Sequence, residues 1–184
     1  MDHIRQIPIE IRWRIAARTL AFMPLAFSRA FRESARASFD EVRSSAYRGI
    51  AREAAGLLSM YHLPSTHAAE IAHAEDVISS VLFGPVIDGD AIEISHEKAV
   101  FRIVACPFSQ LIGEPGITCT MVQEECRAFH TALVEELNPA FAVSFSAGMC
   151  AGEPFCDMTI ARKYPVRPLG RVPAEGYGAR IGEG

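Results

Sequence analysis

The stretch VFRIVACPF (residues 100–108), followed after a helical run by NPAFAVSFSAGMCAGEPFCDMTI (residues 138–160), decides the fold. Within the run at residues 98–105, AVFRIVA (99–105) is apolar on both faces apart from Arg102, the pattern of a strand covered on both sides, and predicts a central strand. Cys106 ends that strand and Pro107 follows it. Proline cannot donate to a ladder and is at home in a first helical turn, so the Cys106 thiol is expected at a strand-to-helix corner. Further along, Thr120-Met-Val-Gln123 fits a capping box and starts a helix just after Cys119. Val122, Cys126, Phe129, Leu133 and Leu137 form its apolar stripe, with His130 on the border. Asn138-Pro139 stops the helix. Phe141, Val143 and Phe145 then alternate with smaller residues as a strand, residues 148–154 turn, and residues 155–160 supply another strand on which Cys156, Met158 and Ile160 share a face.

Working outward, residues 91–95 read as the strand that makes a hairpin with residues 98–105, preceded by an Asp88-Gly89-Asp90 turn signal. Thr66 is a suitable cap for a helix ending at Gly84-Pro85. On that helix His67, Glu70 and His73 recur every third residue, a spacing that drifts around the helix and suits a solvated face better than a metal site. Residues 9–61 carry apolar positions at Trp13, Ala17, Leu20, Phe27 and Phe31 among regularly placed arginines, and predict two amphipathic helices with a bend near Pro24. The fold class expected is therefore α+β: N-terminal helices packed on a small antiparallel sheet with one crossing helix. Three segments follow: a helical arm over residues 1–61, a cysteine-containing α+β unit over 62–161, and an extended, Pro- and Gly-rich tail over 162–184.

Composition excludes several classes of protein. The chain has 184 residues, 49% of them hydrophobic and 22% charged, which is a folded rather than a disordered composition. Its formal charge of −4 offers no basic stripe for nucleic acid. Residues 1–54 hold ten Arg against six acidic residues, a net of +4, and leave −8 in the remainder. The N-terminal segment is thus expected to dock on an acidic surface of this chain or of a neighbour. The first residues lack an export signal and the longest apolar run is too short to span a bilayer, so the expectation is a cytoplasmic protein without membrane attachment. A wide apolar stripe on the basic helices predicts a homo-oligomer assembled through them.

The five cysteines are odd in number and, in a chain read as cytoplasmic, fit reduced thiols that serve chemistry or metal binding. Cys126 and His130, four apart on one helix, hold a thiol and an imidazole together by local geometry. Cys119 precedes a helix N-terminus, where the dipole favours thiolate, and each of these residues could equally be a small packed hydrophobe. Cys106, Cys126, His130 and Cys156 are expected to converge on one site. As ligand types they also match a Cys3His site for zinc or an iron–sulfur cluster, although no paired C-x-x-C knuckle is present.

Taken together, VFRIVACPF, the Cys119/Cys126 helix, LNPAF and GEPFCDM resemble the L-2-amino-thiazoline-4-carboxylic acid hydrolase family over residues 70–161. Family members commonly carry an acidic residue where His130 stands. The resemblance implies a fold similar to the vinyl-reductase-like ligand-binding domains. It also implies a cysteine-dependent hydrolase that opens a small cyclic amidine or thiazoline at a non-peptide C–N bond, without a cofactor. In that reading Cys106 or Cys126 is the nucleophile, His130 the general base and then acid, and Cys156 a further member of the site. Arg102 and Cys119 contact the small-molecule substrate, Arg102 through a bidentate pair with its carboxylate. The alternative is a metal- or small-ligand-binding domain with Cys106, Cys126, His130 and Cys156 as the ligands.

Overall fold

In a computed structural model, described for residues 7–35 and 37–164, the chain is an α+β structure of four helices and four strands. The helices are α1 (Ile9–Ala35), α2 (Ala37–Met60), α3 (Ala68–Phe83) and α4 (Cys119–Leu137). The strands are β1 (Asp88–Ile94), β2 (Lys98–Ala105), β3 (Phe141–Ala147) and β4 (Cys156–Arg162). All neighbours in the sheet are antiparallel and its order is β1-β2-β4-β3. β2 is therefore an interior strand, as expected, but it is not covered on both faces: Val104 is 52% exposed. β2 and β3 flank β4 in the same direction, and α4 is the connection that carries the chain across.

Two apolar layers follow from the helix stripes. Ile71 and Ala72 of α3, with Val134 of α4, pack on Ala99, Phe141, Met158 and Ile160 of the sheet, all buried. On the other side of α3 and α4, a second cluster joins Ala21 and Leu25 of α1 and Tyr47, Ala51 and Leu58 of α2 to Ile78, Phe129 and Leu133. α1 and α2 thus belong to the same core as residues 74–133. Charge follows the same plan: Arg18 pairs with Glu114, Arg32 with Glu124, and Arg43 with Glu124. The basic segment finds its acidic partner within this chain.

Local details depart from the sequence expectations for identifiable reasons. Pro24 lies inside α1, which continues past it to Ala35. The N-cap of α4 is Thr118, whose hydroxyl accepts from the Met121 N–H at 3.3 Å, so Cys119 is the first helical residue. The cap of α3 is His67, accepting from the Glu70 N–H, while Thr66 instead donates to the Glu70 carboxylate at 2.5 Å. His67 Nε2 lies 3.2 Å from Glu70 Oε1, and His73 is exposed. Asp88-Gly89-Asp90 is part of edge strand β1. The register shifts between Asp88 and Gly89, and a Cβ at Gly89 would lie 2.6 Å from the Arg102 carbonyl oxygen, so the glycine serves close strand approach. Gly84 caps α3 with φ +50°, and a Cβ there would meet the Trp13 indole at 2.3 Å. Trp13 Nε1 donates to the Val81 carbonyl at 3.2 Å, which pins α1 on the end of α3. Most of the tail, from residue 165 onward, lies outside the described residues.

Candidate functional site

Four elements deliver the reactive side chains to one place. Cys106 directly follows the last residue of β2, and the tight turn after Pro107 folds back on it: the Ser109 hydroxyl donates to the Cys106 carbonyl at 2.8 Å. α4 presents Cys126 and, one turn on, His130; β4 begins with Cys156, whose sulfur accepts from the Met149 N–H at 3.2 Å. Cys106, Cys126, His130 and Cys156 all line a cavity of about 300 Å3, together with Cys150, Gln123 and Phe145. The expected convergence is therefore present.

The imidazole is held from behind. His130 Nδ1 lies 2.8 Å from Glu75 Oε1, both groups buried, and Glu75 also accepts from the Ser79 hydroxyl at 3.4 Å. Burial works to lower the His130 pKa, but the Glu75 charge and hydrogen bond outweigh it and the result lies above the usual value. With Nδ1 donating to the carboxylate, Nε2 is the nitrogen left for proton exchange. Glu75 and His130 also border a second, smaller cavity of about 190 Å3 that contains Asp76 and Asp88. Sequence reasoning missed Glu75. Its signal was there: it falls four residues after Ile71 and three before Ile78, on the apolar stripe of α3, where a carboxylate is buried only with a partner.

The thiols are not equivalent. Cys106 is brought down to about 7, mainly by the neighbouring Cys126 thiol; burial opposes this, and the N–H groups of Ser109 and Phe108 and the nearby His130 assist. Cys126 moves up, because its proton stabilises Cys106 and because it is buried. Burial raises Cys156, and pushes Cys150 up to about 12. Thiolate character is thus concentrated on Cys106. All five cysteines are free.

Two residues assigned to substrate take other positions. Arg102 does not line the cavity: β2 and β4 place it directly opposite Asp157, and the guanidinium grips that carboxylate at 2.9 and 2.8 Å and stacks 3.8 Å from the Phe155 ring centre. Cys119, at the head of α4, offers its carbonyl to the Cys150 thiol at 3.7 Å and does not line the cavity. Arg127, next to Cys126 on α4, is the arginine among the residues that line the cavity. Among the described residues, no group of three or more His, Cys, Asp or Glu side chains is arranged to hold a metal ion, and no helix is long and apolar enough to cross a membrane.

No protein-family model and no curated protein matches the chain. Solved structures do. Trafficking protein particle complex subunit 3 from Naegleria fowleri, covalently bound to palmitic acid, aligns with a TM-score of 0.60 at 11% identity, over 84% of this chain and 99% of that one. The two share a fold. The phenol-responsive sensory domain of the transcription activator PoxR, solved with phenol, aligns with a TM-score of 0.48 at 12% identity, over 79% of this chain and 74% of that one.

Proposed function

We propose that the protein is a cysteine-dependent hydrolase of small cyclic amidines or thiazolines, with Cys106 as nucleophile, His130 as acid and base, and Glu75 as the group that orients His130. The observation that carries this reading is the meeting of Cys106 and the Glu75-anchored His130 on one cavity of about 300 Å3. That volume suits a small-molecule site. The Cys106 thiolate adds to the C=N carbon, forming a C–S bond, and the C=N electron pair moves to the ring nitrogen, which takes a proton from His130. Collapse of the adduct breaks the ring C–N bond: the exocyclic nitrogen lone pair forms a new C=N, a proton from that nitrogen passes through His130 to the ring nitrogen, which leaves as the amine, and the carbon stays bonded to the Cys106 sulfur. Water, deprotonated by His130, then displaces the thiolate. Cys126 acts by stabilising the Cys106 thiolate, Cys156 shapes the cavity, and Arg127 takes over from Arg102 the task of holding a substrate carboxylate.

The test is turnover of 2-amino-thiazoline-4-carboxylate by wild type, Cys106→Ala and His130→Ala, with thermal midpoints measured on the same samples. Loss of a positioned acid and base is expected to cost about 10²- to 10⁴-fold, and loss of the nucleophile more. Retention of wild-type turnover by both variants, or loss only through unfolding, overturns the mechanism. The competing reading, a metal-binding Cys3His domain, would draw on the same four side chains, which are not arranged around an ion in this structure. Stoichiometric zinc or iron in the purified protein, removed together by Cys106→Ala and Cys156→Ala, would favour it instead.

A further inference from the structure

The thiol cavity holds more sulfur than a hydrolase needs. Cys106, Cys126, Cys150 and Cys156 reach it from the corner after β2, from α4, from the turn at residues 149–151 and from β4, and all are free. Two of them are engaged at the far turn: the Cys150 thiol donates to the Cys119 carbonyl at 3.7 Å, and the Cys156 sulfur accepts from the Met149 N–H at 3.2 Å. Cys106 and Cys126 interact with one another instead, each being the largest single influence on the other's ionisation.

A nucleophilic thiolate beside a thiol that keeps its proton is the pairing that two-electron oxidation of sulfur requires. The thiolate is converted to a sulfenic acid, and a neighbouring thiol condenses with it to a disulfide before oxidation goes further. The placement of the pair suits that closure. Cys106 lies beyond the β2 ladder, at a corner where it can shift without breaking strand hydrogen bonds, while Cys126 is fixed on α4. His130, whose proton Glu75 holds, lines the same cavity and can protonate a departing oxygen. Ile87, Ile103, Phe108 and Phe145 give the cavity an apolar wall, which favours an oxidant that carries a hydrocarbon group.

We propose a further activity for the protein: reduction of small organic hydroperoxides, with Cys106 as the attacking thiolate and Cys126 as the thiol that resolves it. The Cys106 sulfur takes the terminal oxygen of the hydroperoxide; an S–O bond forms, the O–O bond breaks, and the alkoxide leaves with a proton from His130. Cys126 then attacks the sulfenic sulfur; an S–S bond forms, and the hydroxyl leaves as water with the Cys126 proton. An external small dithiol reduces the Cys106–Cys126 disulfide by exchange, and as Cys106 returns to thiolate its proton goes back to His130. The hydroperoxide is thereby reduced to an alcohol and water while the dithiol is oxidised to its disulfide. The activity shares Cys106 and His130 with the hydrolysis proposed above, but none of its steps needs a cyclic amidine to be a substrate.

The test uses the full chain, reduced and desalted under nitrogen, with an equimolar amount of cumene hydroperoxide as probe and hydrogen peroxide for comparison. Non-reducing peptide mapping is expected to find a Cys106–Cys126 disulfide, and dithiothreitol to restore both thiols. Cumene hydroperoxide should react about tenfold or more faster than hydrogen peroxide, because its ring gains apolar contact in the cavity. Cys126→Ser should stop at a sulfenic acid that dimedone traps on Cys106, and Cys106→Ser should abolish the fast consumption of hydroperoxide. Mapping of the wild type depends on no variant folding. A disulfide that joins Cys106 to Cys150 or Cys156 overturns the proposal, as does a Cys106 that stays reduced while other thiols are oxidised. So does a Cys126→Ser protein, folded by its thermal midpoint, that gives no dimedone adduct at Cys106, and so does a reaction with hydrogen peroxide as fast as with cumene hydroperoxide. Turnover of 2-amino-thiazoline-4-carboxylate by the same wild-type sample separates the two readings: formation of the disulfide without opening of the thiazoline upholds this activity and rejects the hydrolase, and the reverse result rejects this activity alone.

Discussion

At the residue scale, the site is an exercise in sharing protons. Cys126 keeps its proton so that Cys106 can lose its own, and Glu75 keeps one on His130. Alkylation of the native protein by iodoacetamide should therefore fall first on Cys106, and its rate should rise with pH through a midpoint of about 7. Cys126→Ala should move that midpoint upward, toward the ordinary thiol value near ~8.5. Peptide mapping of the labelled protein against pH checks both, and equal labelling of all five thiols would remove the case for a special one. The spacing of Cys126 and His130, and the corner position of Cys106, made these residues legible in the sequence because each follows from local geometry. Glu75 and Arg102 were not, because their roles depend on which element comes to lie opposite. Arg102 faces Asp157 only through the β2/β4 register, and Glu75 meets His130 across the packing of α3 on α4. Fifty-five residues separate the partners in each case, beyond the reach of any spacing rule.

At the element scale, the helices and strands were readable from period and punctuation, and the errors lie at their ends. The α4 start slipped by one residue because Thr118 and Thr120 both offer a hydroxyl, and only the backbone decides which accepts from a helical N–H. The joint between α1 and α3 was invisible in the sequence, since it depends on Trp13 lying over Gly84. That joint is also the place where a small change should tell most. Gly84→Ala adds a methyl where the indole sits and forces a side chain into φ +50°. Two named defects at one position predict a destabilisation of about 1–3 kcal/mol. Chemical denaturation of the variant checks this, and a midpoint equal to wild type would mean that α1 is not held at this point.

At the scale of the whole molecule, the arm read from composition at residues 1–61 contributes Ala21, Leu25, Tyr47, Ala51 and Leu58 to a cluster that also contains Phe129 and Leu133. Full burial of a large apolar side chain is worth about 1.5–3 kcal/mol, so uncovering several would approach the whole stability of an ordinary domain. A chain lacking residues 1–61 should accordingly fail to fold cooperatively, seen as loss of a sharp thermal transition and as binding of an apolar dye. A sharp transition near the wild-type midpoint would show residues 62–161 to be self-sufficient. Tests of the thiol chemistry therefore need the full chain. The arm was legible as amphipathic helices with excess positive charge, but not as part of the core, because a stripe says that a face is covered and not by what. One feature of that arm doubles as an instrument. Trp13 is the chain's single tryptophan, and it is fixed against α3 rather than in the sheet. Its emission spectrum is thus a private signal from one seam, while circular dichroism sums over every helix. If the two optical traces part company during denaturation, the arm is peeling away first; if they superimpose, the protein comes apart as one unit.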